Sequence, residues 1–170
     1  MGIGMRMRII TRFSVVTGLA AVGLMGCGQK VFTIPVTSME PTIKSGSPVL
    51  VDITFYDKNP IQRFDIVAVK DPDGKGKKYV KRIIGLGGER VAIERGAIFI
   101  DDIELREPFN TIPPDKDFGP IVVPENEYFV LGDNRPNSYD SRYWKRATLK
   151  KDDIIGKVTL HINKQPKGGE

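Results

Sequence analysis

Three segments of the chain carry side chains that could do chemistry together. Ser38 ends an apolar strip that begins at Phe32, just before Pro41 changes the direction of the chain. Lys81 lies inside the apolar run 79–84, where burial would disfavour an ammonium and lower its pKa, leaving an amine that can act as a general base. The segment 131–144 is dense in hydrogen-bonding side chains. A hydroxyl beside a neutral amine supports acyl-transfer chemistry.

Each segment taken alone has an ordinary structural interpretation. Alternation places the side chains of Phe32, Ile34, Val36 and Ser38 on one side of an extended chain, so Ser38 could be a serine at a strand end. Lys81 could be an edge-strand lysine that prevents aggregation. The segment 131–144 could be a well-capped turn. The chemistry therefore depends on the three segments meeting in the fold.

Composition excludes several other kinds of site. The chain has 170 residues, enough for one domain with a buried core. A single cysteine excludes an intramolecular disulfide and any CxxC site. A single histidine, His161, argues against a Ser-His-Asp triad or a histidine-based metal site, so we expect no metal and no cofactor. Arg6, Arg8 and Arg12 supply much of the net charge of +5, so the charge does not indicate nucleic-acid binding.

The N-terminal segment 1–28 reads as a signal or a membrane anchor. Its arginines precede the stretch from Phe13 to Gly28, which carries no charge. This stretch is shorter than the roughly 20 residues that span a bilayer comfortably. The run Leu24-Met25-Gly26-Cys27 also matches a lipoprotein processing box, which leaves acylation of Cys27 and an uncleaved helix as equal alternatives. In either case the arginines stay cytoplasmic and the rest of the chain lies outside the membrane.

The remainder, residues 29–165, is predicted to be rich in short β-strands. Gly and Pro are abundant, and the chain shows no helical stripe of useful length after Gln29. The expected strands are 49–51, 65–69, 79–84, 91–93, 97–100, 128–131 and 154–162, with a hairpin turn at Glu94-Arg95-Gly96. Residues 103–126 form a proline-rich excursion, and residues 166–170 are expected to fray.

In combination, the three segments resemble the bacterial type I signal peptidase family. The resemblance rests on Ser-Met-x-Pro-Thr at 38–42, on Lys81-Arg82 in an apolar strand, and on Gly-Asp-Asn-Arg-x-Asn-Ser-x-Asp-Ser-Arg at 132–142. It extends over roughly residues 30–160, including Asp65-Ile66-Val67, Gly85 to Val91, and Ile100 through Glu107-Pro108. It implies a mostly β fold of short antiparallel strands, preceded by one N-terminal apolar helix.

The resemblance also implies an activity and roles for individual residues. The family comprises membrane-anchored, monomeric serine endopeptidases that remove signal peptides from exported preproteins at the outer face of the cytoplasmic membrane. By this resemblance Ser38 is the nucleophile, Lys81 the general base, and Ser138 the residue that hydrogen-bonds that lysine. Asp140 and Arg142 form a supporting ion pair, and Asp133, Asn134 and Arg135 shape the turn beneath the site. The substrate-binding positions are Phe32, Ile34, Pro35, Val36, Met39, Tyr79 and Val80.

The chain departs from the family pattern at four places. Val36 stands where many members have a serine whose hydroxyl helps to bind the oxyanion, which predicts a slow or substrate-restricted enzyme. Phe64 replaces the usual glycine, Pro136 replaces a frequent aspartate, and the processing box at Cys27 is unusual.

Two rival functions follow from the same residues. One is a catalytically weakened relative that binds exported chains without efficient cleavage. The other is a self-cleaving Ser–Lys peptidase of the SOS-repressor type, against which the apolar N-terminus and the lack of a helix-turn-helix region argue.

Overall fold

A computed structural model describes residues 28–33 and 37–161. The expected N-terminal helix, the site positions Ile34, Pro35 and Val36, and the expected frayed tail lie outside the described residues. Within the described ranges no helix is both long enough and apolar enough to cross a bilayer. The helices found there are one short α-helix, α1 (Phe55–Lys58), and 3-10 helices at Thr37–Met39, Arg135–Asn137 and Lys151–Asp153.

The described chain is built from short antiparallel strands, as the sequence predicts. The strands are β1 (Gln29–Thr33), β2 (Pro48–Asp52), β3 (Ile66–Lys70), β4 (Lys78–Gly85), β5 (Arg90–Glu94), β6 (Ala97–Ile100), β7 (Ile103–Glu104), β8 (Phe118–Val122), β9 (Glu127–Leu131), β10 (Leu149–Lys150) and β11 (Ile154–His161). β7 and β8 lie inside the proline-rich excursion, which therefore contributes strands of its own.

The strands form two sheets. The larger has the order β1-β2-β11-β3-β4-β9-β10, and the smaller has the order β7-β6-β5-β8. β5 and β6 pair with Glu94 opposite Ala97, so the hairpin predicted at 94–96 turns through Arg95 and Gly96, both at positive φ. A two-residue turn of this kind matches the right-handed twist of the flanking strands.

Three buried apolar clusters hold these elements together. One packs Met39 and Ile43 against β2, β3, β4 and β11, and so fixes the segment that carries Ser38 over the larger sheet. A second joins β5 and β6 to β9, and a third lies around Trp144 and Leu149. β4 contributes side chains to all three clusters, so packing on several sides holds this strand in place.

Phe64 adopts a backbone conformation that explains the usual glycine at this position. Its φ of 74° is in the left-handed region, which side chains other than glycine rarely adopt. The ring packs edge-to-face on Phe109 at 5.2 Å, and the backbone N–H donates to the Ile83 carbonyl. Aromatic packing and this hydrogen bond offset the strain of the conformation.

Candidate active site

The side chains of Ser38 and Lys81 meet in a buried position. Ser38 lies in the 3-10 helix Thr37–Met39 and Lys81 in the middle of β4. Lys81 Nζ donates to Ser38 Oγ at 2.9 Å and to the Val80 carbonyl at 3.1 Å. Ser38 is 5% exposed and Lys81 is 1% exposed. The two chemical groups that the sequence singled out are therefore in hydrogen-bond contact.

The local conformation at Ser38 differs from the expected extended chain. β1 ends at Thr33, and Ser38 sits in a helical turn closed by the Glu40 N–H donating to the Thr37 carbonyl. A second bond, from Ile43 N–H to the Met39 carbonyl, continues the turn. Ser38 itself is therefore not in an extended conformation, because Met39 and Ile43 turn inward to join the core.

Burial controls the protonation of Lys81. Loss of hydration lowers the pKa of its ammonium from 10.5 to about 8, the positive charge of Arg142 acts in the same direction, and the carboxylates of Asp140 and Asp133 oppose the shift. An amine with this pKa is neutral in a useful fraction of molecules near neutral pH and can accept a proton from a hydroxyl.

The turn that follows β9 holds the Ser38 backbone in place. The Asn134 N–H donates to the Ser38 carbonyl at 3.1 Å. Gly132 lies so close that a Cβ added to it would fall 2.3 Å from both Ser38 O and Ser138 Oγ. Glycine is therefore required here by space, because any side chain would displace the Ser38 backbone.

A buried ion pair fastens the same turn to β4. Arg82, the residue after Lys81, donates from Nε to Asp133 Oδ1 at 2.8 Å and from Nη2 to Asp133 Oδ2 at 2.6 Å. Thr42 also donates its hydroxyl to Asp133. The guanidinium lies 3.7 Å from the Phe109 ring centroid and donates to the Phe64 carbonyl. Bidentate geometry fixes the direction of both partners.

The ion pair expected between Asp140 and Arg142 is present. Arg142 Nε lies 2.8 Å from Asp140 Oδ1, and both side chains are buried. Asp140 also accepts from the Gly132 N–H at 3.1 Å, so the pair closes the turn on itself. The pair raises the pKa of the Arg142 guanidinium even though burial acts in the opposite direction.

Ser138 is buried close to Ser38 without the hydrogen bond that the resemblance implies. Its hydroxyl finds no hydrogen-bond partner among the described residues, so no bond to Lys81 is formed. The Lys81 amine instead directs its bonds to Ser38 Oγ and the Val80 carbonyl.

Arg135 occupies the base of the turn. The side chain is 1% exposed, forms an ion pair with Glu107, and donates from Nε to the Gly132 carbonyl at 2.8 Å. Its own carbonyl accepts a hydrogen bond from Arg142 Nη2. Glu107 comes from the proline-rich excursion, which also contacts the turn through the bridge between Ile112 and Asn134.

The described positions to which the resemblance assigns substrate binding are Phe32, Met39, Tyr79 and Val80. Tyr79 is half-buried, and its ring centroid is 5.5 Å from Lys81 Nζ. Met39 and Val80 are buried in one apolar cluster, against which Phe32 packs. Lys78 Nζ lies 5.3 Å from the Phe32 ring centroid, linking β4 to β1. The described residues contain no cluster of His, Cys, Asp and Glu that could hold a metal ion.

Four residues of the site were assigned no role from the sequence. Gly132, Arg82 and Thr42 stand inside the segments that carry the resemblance, and Glu107 stands in the Glu-Pro pair that extends it. Membership in those segments was the available signal. Their partners, however, are set by tertiary contacts that are far apart along the chain.

Comparisons with known proteins point to one family. A family model described as "Signal peptidase, peptidase S26" matches residues 6–162. The chain is 31% identical over 156 residues to the probable signal peptidase I-2 of Synechocystis sp., covering 89% of this chain and 71% of that protein. It is 34% identical over 160 residues to signal peptidase I of Leptolyngbya laminosa, covering 85% and 78% respectively.

A solved structure gives the same answer. The crystal structure of a signal peptidase I from Enterococcus faecalis superimposes with a TM-score of 0.50 and 33% sequence identity, covering 59% of this chain and 98% of that one. The match is therefore between related sequences as well as similar folds. The chain belongs to the signal peptidase family of S26 peptidases.

Proposed function

We propose that the protein is a serine endopeptidase that removes signal peptides from exported preproteins, with Ser38 as nucleophile and Lys81 as general base. The observation that carries the assignment of residues is the 2.9 Å contact between Lys81 Nζ and Ser38 Oγ in a buried site. The pKa of Lys81, lowered to about 8, supports the role of base. Membership in the S26 family supports the substrate class.

The chemistry runs through an acyl-enzyme. Neutral Lys81 takes the Ser38 hydroxyl proton as Oγ attacks the scissile carbonyl carbon, and the Ser38 backbone N–H donates to the developing oxyanion. When the tetrahedral intermediate collapses, the Lys81 ammonium protonates the leaving amine of the mature protein. Neutral Lys81 then takes a proton from water as the water oxygen attacks the ester carbon. When the bond to Ser38 Oγ breaks, Lys81 returns that proton to Oγ, which releases the signal peptide as a carboxylic acid and restores the free enzyme.

Unpaired strand edges supply a place for the peptide. Within the described residues β1 pairs only with β2, and residues 78–81 of β4 pair only with β3. An extended substrate can add as a strand beside these edges, with main-chain hydrogen bonds giving affinity and side-chain pockets giving selectivity. The residues expected to line those pockets are the described Phe32, Met39, Tyr79 and Val80, together with Ile34, Pro35 and Val36.

Residues 1–28 are proposed to anchor a monomeric enzyme in the cytoplasmic membrane, with the domain that follows on its outer side. The arginines before an uncharged apolar stretch support this orientation. It places Ser38 where signal peptides emerge from the membrane.

The proposal is tested by cleavage of a preprotein with the purified full chain in detergent. Ser38→Ala and Lys81→Met should each abolish cleavage, because one removes the nucleophile and the other removes the base. Ser45→Ala and Lys77→Met are matched controls, since both residues are exposed and lie outside the site. Cleavage that survives Ser38→Ala or Lys81→Met would rule out the assigned roles. A folded wild type that binds preproteins without cleaving them would instead support the binding function.

A further inference from the structure

We infer that Glu107 is a positioning residue for the Ser38–Lys81 pair, acting through Arg135 and Gly132 rather than by touching the reacting groups. Its catalytic consequence rests on the proposed function. The contacts that carry the inference run from the proline-rich excursion to the Ser38 backbone.

The first contact is a buried ion pair. Glu107 is 13% exposed, Arg135 is 1% exposed, and their side chains are joined by a charge-assisted hydrogen bond. In the described part of the chain, Glu107 is the acid paired with Arg135. A buried cation that loses its acid is strongly unfavourable, because little water can replace the lost charge. Arg135 therefore depends on Glu107 to stay in its present position.

The second contact joins Arg135 to Gly132. Arg135 Nε donates to the Gly132 carbonyl at 2.8 Å and so fixes the orientation of that peptide group. Gly132 packs against Ser38 O and Ser138 Oγ with no room for even a methyl group. A small shift at Gly132 must therefore move the Ser38 backbone, since close-packed interiors transmit displacements.

The fold of the turn does not depend on the Glu107 side chain. The Ile112 N–H donates to the Asp133 carbonyl at 2.9 Å, and the Arg135 N–H donates to the Ile112 carbonyl at 3.2 Å. These backbone bonds remain when residue 107 changes. Replacement of Glu107 by the isosteric glutamine should therefore loosen the Arg135 side chain without unfolding the turn.

The test compares Glu107→Gln with Glu104→Gln in the purified full chain. Glu104 is an exposed acid in the same excursion and serves as the matched control. Three quantities are measured: kcat and KM on a preprotein, the titration midpoint of Lys81 in protein carrying 13C-labelled lysine, and unfolding by denaturant. The Lys81 signal is identified by its loss in Lys81→Met.

For Glu107→Gln we expect kcat to fall by about tenfold to a hundredfold, as small misplacements of reacting groups cause, while KM stays unchanged because the peptide groove is not touched. The Lys81 midpoint should move upward as water enters the loosened site. The sign is diagnostic, since removing a negative charge would by itself move a lysine midpoint downward. The charged groups that shift the pKa of Lys81 are Asp140, Asp133 and Arg142, and both variants retain all three. Glu104→Gln should match the wild type.

The inference is overturned if kcat and the Lys81 midpoint are both unchanged in folded Glu107→Gln. It is also overturned if kcat falls only in proportion to the folded fraction while the midpoint stays in place, because that result describes stability alone. A wild type that cleaves no preprotein overturns the proposed function, whereas an upward Lys81 midpoint in Glu107→Gln still supports the positioning role.

Discussion

At the scale of single residues, the proposed role of Lys81 as general base predicts that cleavage depends on pH. Its pKa of about 8 leaves about one molecule in ten with a neutral amine at pH 7. We expect kcat/KM to rise about tenfold per pH unit below pH 8 and to level off above it, because only the neutral amine can accept the Ser38 proton. The check is a pH profile of preprotein cleavage. A flat profile from pH 6 to 9 would contradict the role of Lys81 as base.

The burial of Lys81 also lowers the free energy of unfolding at pH values where the amine is protonated. Its pKa is about 8 in the folded chain and 10.5 in the unfolded chain, so the unfolded chain binds more protons between those values. Wild-type stability should therefore rise by about 3 kcal/mol as pH increases through this window. Lys81→Met should be more stable than wild type below pH 8, and the gain should shrink by that amount towards pH 10.5. Denaturant unfolding at several pH values measures it.

The matched control for this measurement is Lys77→Met. Lys77 is exposed, so its replacement should give a stability difference that does not change with pH. If Lys81→Met also differed from wild type by a constant amount at every pH, the lysine would be as well hydrated in the folded chain as in the unfolded one.

Val36, which lies outside the described residues, carries a prediction from the sequence. A hydroxyl at this position would add a donor to the oxyanion, and such a donor is worth about 10²–10³ in rate in other acyl-transfer enzymes. Val36→Ser should therefore raise kcat on a standard preprotein. Val36→Ala separates the hydroxyl from the width of the pocket, because it is smaller but has no donor. Equal kcat values for the serine and alanine variants would show that the hydroxyl contributes nothing.

At the scale of elements, periodicity predicted most of the strands. The runs predicted at 65–69, 79–84 and 128–131 overlap β3, β4 and β9, because each is rich in apolar residues and bounded by turn residues. The two-residue strands β7 and β10 could not be predicted, because two residues are too few to show an alternation of apolar and polar side chains. The 3-10 turn at Ser38 was also missed, because it is imposed by the packing of Met39 rather than by local sequence.

The site was predictable in its chemistry but less so in its supports. Lys81 stands out because a lysine is unusual in an apolar strand, whereas Ser38 was singled out by the resemblance. The two side chains are in contact. The family resemblance implied the Asp140–Arg142 ion pair, which the structure contains. The partners of Arg82 and Arg135 lie far away along the chain, so only the fold reveals them.

The contact between the end of β9 and the 3-10 helix at Ser38 gives an element-scale prediction. Gly132→Ala would place a methyl group 2.3 Å from Ser38 O and must push the two elements apart. We expect kcat to fall by about a hundredfold or more, since the nucleophile moves relative to Lys81. Steady-state cleavage by folded protein measures the effect.

Gly74→Ala is the control, because it introduces backbone strain without a steric clash. Gly74 has a φ of 77° and no atom within 4 Å of an added Cβ, so its replacement should lower stability while leaving kcat unchanged. Wild-type kcat in Gly132→Ala would mean that the two elements can separate without disturbing the reacting atoms.

At the scale of the whole molecule, the smaller sheet is attached to the larger one near the base of the site. The segment 86–89 leads from β4 to β5. Arg63 forms a bidentate ion pair with Glu89 in this segment and also donates to the Ile84 carbonyl. The excursion returns from the smaller sheet through Glu107 and Ile112 to the turn after β9. The segment between β7 and β8 therefore connects the smaller sheet to the turn after β9 through a side-chain ion pair and backbone hydrogen bonds.

The orientation of the whole chain at the membrane gives the last prediction. Three arginines precede the uncharged stretch, so the N-terminus should stay cytoplasmic and the domain from residue 29 should lie outside. We expect the full chain to remain in the membrane fraction after alkaline carbonate washing. Protease added to cells whose outer layers have been opened should degrade the domain, while a cytoplasmic marker survives. Cys27→Ser with intact-mass analysis separates an acylated anchor from an uncleaved helix. Only the acylated form changes mass by more than the substitution, because it loses the lipid and keeps the residues that processing removes. Protection of the domain in intact spheroplasts, together with its digestion after lysis, would place the site on the wrong side of the membrane for emerging signal peptides.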